Sequence, residues 1–193
     1  MRALASAPDL GHIGEMDTHE TSLAIIIIAG PQASGKSTLA TAMSAELRRR
    51  GERVALVELD QIAAMALPTL PSWDAAHQIF ETATGLWART DLTAVIAEGS
   101  GSHDEVLRLQ TQAPPGAVIV TVATTVALET AIARAQADPT RGVSKDQSFL
   151  SRVYQQWPEE LNRMDPDLLV DTGHCTVEEA VEHVNARIGA ARR

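Results

Sequence analysis

The chain has 193 residues with 45% hydrophobic and 3% aromatic content, which is enough for one domain with a mainly aliphatic core. Its formal net charge of -9 argues against general binding to a nucleic-acid backbone, which favours a basic surface. The single cysteine, Cys175, excludes an internal disulfide, and no apolar run approaches the roughly 18 residues of a membrane span.

The predicted elements begin after a polar N-terminal leader, residues 1–20, which lacks the basic start and apolar run of a signal peptide. We therefore expect a cytoplasmic protein with one folded domain over residues 21–193. Five short aliphatic runs are predicted to be strands: Leu23–Ala29, Val54–Leu59, Ala94–Ala97, Ala117–Val122 and Leu168–Val170. Most of these runs are continuous rather than alternating, which is typical of parallel strands covered on both faces.

Helical patterns separate the strands. They cover Lys36–Arg50, Ser72–Thr90, His103–Gln112, Thr125–Ala137, a helix introduced by Ser144-Lys145-Asp146-Gln147, and Val177 to about Ile188 with Gly189 as the expected stop. Strands that alternate with helices predict a three-layer α/β fold with a parallel sheet.

The first strand runs into the segment Gly30-Pro31-Gln32-Ala33-Ser34-Gly35-Lys36-Ser37, which matches the P-loop pattern G-x-x-x-x-G-K-[ST]. In a P-loop, backbone N–H groups point inward at phosphate oxygens, the lysine approaches the β- and γ-phosphates, and the hydroxyl coordinates Mg²⁺. The pattern predicts a site for ATP and Mg²⁺. Its phosphate-binding residues would be Gly30, Gln32, Ala33, Ser34, Gly35, Lys36, Ser37 and Thr38.

Two carboxylates follow neighbouring strands. Asp60 comes after the second strand and Glu98 after the third, so both should lie at the edge of the sheet that carries the P-loop. Asp60 could accept a proton from an acceptor hydroxyl, or it could only cap the next helix. Glu98 could hold Mg²⁺ or orient a substrate, or it could be a polar turn residue. His103 is a further candidate for acceptor contact, with a plain helix-start role as the alternative.

Arg134 and Arg141 flank a turn-rich segment between the fourth and fifth strands. Phosphoryl transfer spreads negative charge over oxygens that an arginine can bridge, so both are candidate catalytic residues with Lys36 and Asp60. A lid over about residues 134–146 would deliver them and exclude water. The alternative is a pair of solvent-facing arginines on a helix and a turn.

With these motifs the chain resembles the P-loop small-molecule kinases, most closely the chloramphenicol phosphotransferase-like family. Beyond the P-loop, the resemblance covers the segment from Asp60 to Leu67, the two lid arginines, and Val170-Asp171-Thr172 at strand five. It implies the strand order 2-3-1-4-5, ATP as the donor and a hydroxylated acceptor. It also places Asp171 and Thr172 near the adenine, as in shikimate and gluconate kinases. Glu98-Gly99-Ser100 stands where the antibiotic kinase has a pair of aspartates, so chloramphenicol is not assumed as the acceptor.

The sequence thus predicts a P-loop kinase-like domain that phosphorylates a hydroxyl of an antibiotic or a metabolite, as a monomer or homodimer without a nucleic-acid or membrane partner. The alternative is a nucleotide-binding regulatory or accessory ATPase with no small-molecule acceptor. ATP is expected to be preferred over GTP, because the guanine-reading motif Asn-Lys-x-Asp is missing.

Overall fold

The sheet and its strand order match the prediction. The computed structural model describes residues 22–70, 72–139 and 142–193. In this part of the chain, five parallel strands form one sheet in the order β2-β3-β1-β4-β5. The strands are β1 (Ala24–Ala29), β2 (Val54–Glu58), β3 (Ala94–Glu98), β4 (Val118–Thr125) and β5 (Leu168–Asp171).

The helices between the strands cover both faces of the sheet. They are α1 (Lys36–Arg49), α2 (Leu59–Ala64), α3 (Trp73–Trp87), α4 (His103–Gln110), α5 (Leu128–Ala137), α6 (Gln147–Met164) and α7 (Val177–Ala191), with a short 3-10 helix at Val143–Lys145. Helices α1 and α7 pack on one face, and α3, α4 and α6 pack on the other. The central strand β1 is buried between these layers, with no residue more than 1% exposed. The layers confirm the three-layer α/β fold.

Several element bounds differ from the prediction. The chain after β2 turns at once into the unpredicted helix α2. Strand β4 runs through Thr125, because its last four residues pair with β5, and α5 therefore begins only at Leu128. Helix α6 is capped by Asp146, whose carboxylate accepts from the N–H groups of Ser148 and Phe149, rather than by Ser144.

Helix α7 also continues past Gly189 to Ala191 instead of stopping at the glycine. A glycine inside a helix costs only about 1 kcal/mol relative to alanine, and the two alanines that follow favour the helix. The predicted start of the same helix is confirmed. Thr176 and Glu179 form a capping box with N–H contacts of 2.8 and 3.2 Å.

The carboxyl ends of the strands meet at one edge of the sheet. The P-loop follows β1 there, and Glu58 and Glu98 end the neighbouring strands β2 and β3 as register partners. Partners on adjacent strands point to the same face, about 5 Å apart, so both carboxylates lie on the α1 side. Among the described residues, no helix has both the length and the apolar character needed to cross a bilayer.

Candidate functional site

The P-loop joins β1 to α1 as predicted, and its backbone conformation explains the residues in it. Gly30, Ala33 and Gly35 have positive φ angles of 155°, 63° and 98°. A Cβ on Gly30 would lie 2.7 Å from the carbonyl oxygen of Thr124, and Gly35 is the residue immediately before α1. The loop therefore curls tightly, and the N-terminus of a 14-residue helix points into it.

Lys36 lies inside this curl. Its Nζ donates to the carbonyl oxygens of Gly30 at 2.8 Å and Pro31 at 3.1 Å, and lies 3.9 Å from Oε1 of Glu98. The side chain is only 11% exposed. The ammonium group is thus held at the mouth of the loop, where the charge of a bound phosphate would fall.

A buried hydroxyl pair ties the P-loop to β4. The hydroxyls of Ser34 and Thr124 lie 2.6 Å apart, and Thr124 also donates to the carbonyl oxygen of Ala29 at 3.3 Å. Sequence analysis missed Thr124. A usable signal was its place near the carboxyl end of β4, one residue beyond the position that pairs with Ala29. This pair fixes the loop against the sheet, so the cradle is largely preformed.

Glu98 is buried and only 4% exposed. Its pKa is raised to about 7, chiefly by burial. Lys36 opposes this rise, the charges of Asp60 and Glu58 add to it, and the hydroxyl of Ser37 lowers the pKa by donating to the carboxylate. The structure thus brings together Lys36, Ser37 and Glu98, as the sequence predicted for a site at this edge. Its alternative reading of Glu98 as a turn residue is wrong, because Glu98 is the last residue of a buried strand.

The oxygen atoms of Ser37 and Glu98 are hard ligands of the kind that Mg²⁺ prefers. In the described ranges, no cluster of three or more carboxylate, histidine or cysteine side chains could hold a metal by itself. Mg²⁺ in nucleotide sites is usually held by one or two protein carboxylates together with phosphate oxygens and water.

Asp60 lies exposed in the first turn of α2, and its charge acts on both Glu98 and Glu58. The cap position of α2 is occupied by Glu58, so the alternative of Asp60 as the helix cap does not hold. Glu58 was missed in the sequence, although its place at the end of β2 beside Glu98 could have revealed it. Partial burial and the charge of Asp60 raise the pKa of Glu58. The edge thus carries three interacting carboxylates, of which Glu98 lies beside Lys36.

A cavity of about 500 Å³ opens beside the P-loop, away from the carboxylates. Its lining comes from the P-loop, α1, the end of α5 and the turn after β5: Ala33, Gly35, Thr38, Leu39, Arg134, Ala137, Asp138, Thr172, Cys175, Thr176, Val177 and Ala180. The turn is anchored by Thr172, whose hydroxyl donates to the carbonyl oxygen of Ser34 at 2.8 Å. The cavity is thus continuous with the phosphate cradle.

Arg134 is fixed at this cavity. Its guanidinium donates to the hydroxyl and carbonyl oxygens of Thr172 at 2.8 and 2.9 Å, and more weakly to the carbonyl oxygen of Ala33 at 3.4 Å. The alternative of a solvent-facing side chain therefore does not hold for Arg134. The prediction that Arg134 closes over a transferring group stays untested, but these contacts favour a place beside the cavity. Arg141 lies outside the described residues.

The other predicted residues lie around the cavity and the loop. Asp171 accepts from the N–H of Gly173 at 2.9 Å and from His174 at 2.8 Å, and these contacts lower its pKa, with the His174 contact dominant. It therefore shapes the turn and does not line the cavity. The carbonyl oxygen of Gln32 accepts from the hydroxyl of Tyr154 at 3.1 Å, which links the P-loop to α6.

His103 is the first residue of α4, and its N–H donates to Oε2 of Glu160 on α6 at 2.7 Å. Its buried Nδ1 has no hydrogen-bond partner within the described residues. The helix-start role is thus confirmed, and acceptor contact stays a prediction. Nearby, Gly101 packs on the P-loop so closely that a Cβ there would lie 2.6 Å from the carbonyl oxygen of Gly30.

No protein-family model matches the sequence, and no curated protein matches it significantly. Solved structures are similar at low identity. A shikimate kinase from Bacteroides thetaiotaomicron has a TM-score of 0.63 with 14% identity over 86% of this chain and 98% of its own. A sugar kinase from Janibacter sp. HTCC2649 has 0.59 with 18% identity over 89% and 96%. The tunicamycin resistance protein of Deinococcus radiodurans has 0.59 with 16% identity over 86% and 96%. The chain therefore has the fold of the P-loop small-molecule kinases.

Proposed function

We propose that this protein is an ATP-dependent phosphotransferase that phosphorylates a hydroxyl group of a small molecule. The observation that carries the proposal is the convergence of Lys36, Ser37 and Glu98 at the mouth of the P-loop, with Asp60 in electrostatic range of Glu98. A protein that only binds a nucleotide needs the cradle and a ligand for Mg²⁺, but it has no need for Asp60 as a further carboxylate beside them. The fold shared with shikimate and sugar kinases supports the same reading.

In this proposal the P-loop amides and Lys36 bind the phosphates of ATP, and the nucleoside enters the cavity lined by Arg134 and Thr172. Lys36 leaves its contacts with the loop carbonyl oxygens for the phosphate oxygens, which are stronger partners for an ammonium group. Ser37 and Glu98 would hold Mg²⁺, which neutralises charge on the phosphates when bound.

The acceptor hydroxyl approaches the γ-phosphoryl group from the side of α2 and α3. A bond forms between the acceptor oxygen and phosphorus while the bond to the β-phosphate oxygen breaks and ADP leaves. Asp60 orients the hydroxyl and takes its proton. We assign Arg141 to the charge that spreads over the transferring group, because the lid segment follows Arg134 directly and Arg134 is already engaged at the cavity.

The acceptor is a hydroxylated antibiotic or metabolite in this proposal. The similar structures include proteins named for shikimate, for sugars and for tunicamycin resistance, so both classes belong in a screen. The chain's charge of -9 supports a small-molecule partner over a nucleic acid. Three further properties remain predictions: preference for ATP over GTP, a cytoplasmic location, and a monomeric or homodimeric state. Competition binding of ATP against GTP would test the first.

The deciding experiment measures ADP release from Mg-ATP with and without a library of aromatic alcohols, nucleosides, aminoglycosides and sugar acids. We expect slow release alone and strong stimulation by one class of compound, with the phosphorylated product visible by mass spectrometry. ATP hydrolysis that no compound stimulates would instead favour the regulatory or accessory ATPase and contradict the proposal.

A further inference from the structure

A buried carboxylate lies under the loop that follows β3. Glu105, in the first turn of α4, is 1% exposed. Its Oε1 accepts from the N–H of Ser100 at 2.6 Å and from the Ser100 hydroxyl at 3.1 Å, and its Oε2 lies 2.5 Å from Nδ1 of His77 on α3. A buried carboxylate requires such partners, because an unpaired charge in the interior is strongly unfavourable. Glu105 therefore connects the β3–α4 loop to α3.

The contact with Glu105 also fixes the orientation of the His77 ring. In the neutral imidazole, the ring nitrogen that donates to the carboxylate of Glu105 is Nδ1, and Nε2 is left as an acceptor. The imidazole side chain is 23% exposed and makes no other hydrogen bond within the described part of the chain. Nε2 is thus an oriented and partly accessible acceptor at a fixed position.

The position of His77 is on the acceptor side of the proposed site. Helix α3 follows α2, which carries Asp60, and packs against α2, β2 and β3. The ring of Trp73 lies with its centroid 6.4 Å from that of His77 and is 52% exposed. From His77 the contacts run through Glu105 to Ser100, one residue before the glycine that packs on the P-loop. A continuous chain of contacts therefore joins the imidazole to the phosphate cradle.

We propose that His77 binds the acceptor through Nε2, and that Glu105 is a positioning residue that fixes His77 relative to the P-loop. This inference rests on the proposed function and deepens it, since it adds a specificity residue at the same site. Nε2 accepts a hydrogen bond from a second hydroxyl or N–H group of the acceptor, away from the hydroxyl that is phosphorylated. His77 takes no part in proton transfer to or from the reacting oxygen.

The same geometry indicates the chemical class of the acceptor. An exposed indole beside an oriented imidazole suits a molecule with a flat apolar or aromatic part and at least two hydrogen-bonding groups. Exposed apolar side chains also occur in the segment that joins α2 to α3, at Met65 and Leu67, which are 84% and 61% exposed. Aromatic diols and nucleosides fit this surface better than sugar acids, for which α2 and α3 offer no lysine or arginine side chain.

The test uses substitutions that separate a structural role from a binding role. In His77→Asn, the amide N–H can replace Nδ1 and keep the contact with Glu105, but no polar atom remains at the place of Nε2. We expect the KM for the best compound of the library to rise about tenfold, while kcat changes less and ATP affinity and Tm stay the same. His77→Gln, whose amide reaches the place of Nε2, should recover part of the KM. The exposed His183 on α7 provides the matched control, His183→Asn.

The outcomes are distinguishable. An acceptor whose KM is the same in His77→Asn as in the unchanged protein would overturn the inference and leave the kinase function intact. Failure of every compound to stimulate ADP release would overturn the proposed function and the acceptor role of His77 with it. A readout without any variant is nitrogen NMR of histidine-labelled protein. The Nε2 signal of His77 should shift when the stimulating compound is added, and an unchanged signal at saturation would contradict the proposal.

Discussion

The phosphate cradle and the acceptor side lie at the same edge of the sheet but are held in place by different means. The cradle is built from consecutive residues, with its shape fixed by the backbone at Gly30 and Gly35 and by the hydroxyl pair of Ser34 and Thr124. The acceptor side consists of side chains from α2, α3 and α4, several of them exposed. The first arrangement can bind only one kind of group, whereas the second can change its ligand by changing side chains. In the proposed reaction, the P-loop therefore points to the donor and says little about the acceptor.

The largest expected effect tests the cradle. Lys36→Ala should abolish tight Mg-ATP binding, because the side chain holds the positive charge at the mouth of the loop. Calorimetry measures the affinity, and Arg49→Ala on the exposed end of α1 is the control for loss of a cation. Unchanged affinity in Lys36→Ala would show that the loop does not bind phosphates in the proposed way.

The next effect tests the acceptor side. Asp60→Asn keeps the size of the side chain but removes its charge and its ability to take a proton. We expect ATP affinity to survive and transfer to fall by roughly 10²–10⁴-fold, which is the usual range for loss of a general base. The measurement is the transfer rate against magnesium concentration, with the exposed Asp91→Asn as control. Recovery at saturating magnesium would assign Asp60 to the metal, and near-normal transfer would remove its role.

A third prediction separates the two arginines of the predicted lid. Arg141→Ala should reduce turnover about a hundredfold with little change in ATP affinity, as expected for a group needed when charge spreads in the transition state. Arg134→Ala should instead weaken ATP binding, because its contacts lie at the cavity. Steady-state kinetics and calorimetry on both variants measure the split. The reverse pattern would exchange their roles, and normal turnover of Arg141→Ala would make it a surface residue.

The smallest effect concerns stability and pH. The folded protein keeps a proton on Glu98 up to about pH 7, whereas an unfolded chain loses it near the ordinary value of 4.5. The folded state therefore binds more protons between these values, and the free energy of unfolding should fall as the pH rises through this window. In Glu98→Gln, the decrease in the free energy of unfolding over this pH window should be smaller by about 1–3 kcal/mol. Urea unfolding of both proteins without ATP and magnesium, from pH 4.5 to 8, gives the difference, and parallel curves would show that Glu98 does not titrate there.

The difference between local and long-range contacts also explains which parts of the fold and of the candidate site could be predicted from the sequence. The P-loop and the parallel α/β fold could be predicted because they depend on a local motif and on the alternation of strands with helices, whereas the strand order was implied by the resemblance to the P-loop small-molecule kinases. The contact of His77 with Glu105 joins residues 28 positions apart, and that of Ser34 with Thr124 joins residues 90 apart. Such pairs exist only once the elements have packed, so no spacing in the sequence indicates them. Helix α2 was missed for the same reason, since a six-residue helix depends more on its packing than on its own propensity.

The close packing of Gly101 on Gly30 has a consequence for directed evolution of this protein. Any side chain at position 101 would collide with backbone atoms of the phosphate cradle, and the positive φ of 95° disfavours one further. Gly99 is similarly blocked by the carboxylate of Glu105. Randomising this loop should therefore yield mostly inactive clones, whereas position 73 on α3, whose indole is 52% exposed, can vary without touching the phosphate cradle. New acceptor preferences should arise by mutation of that helix.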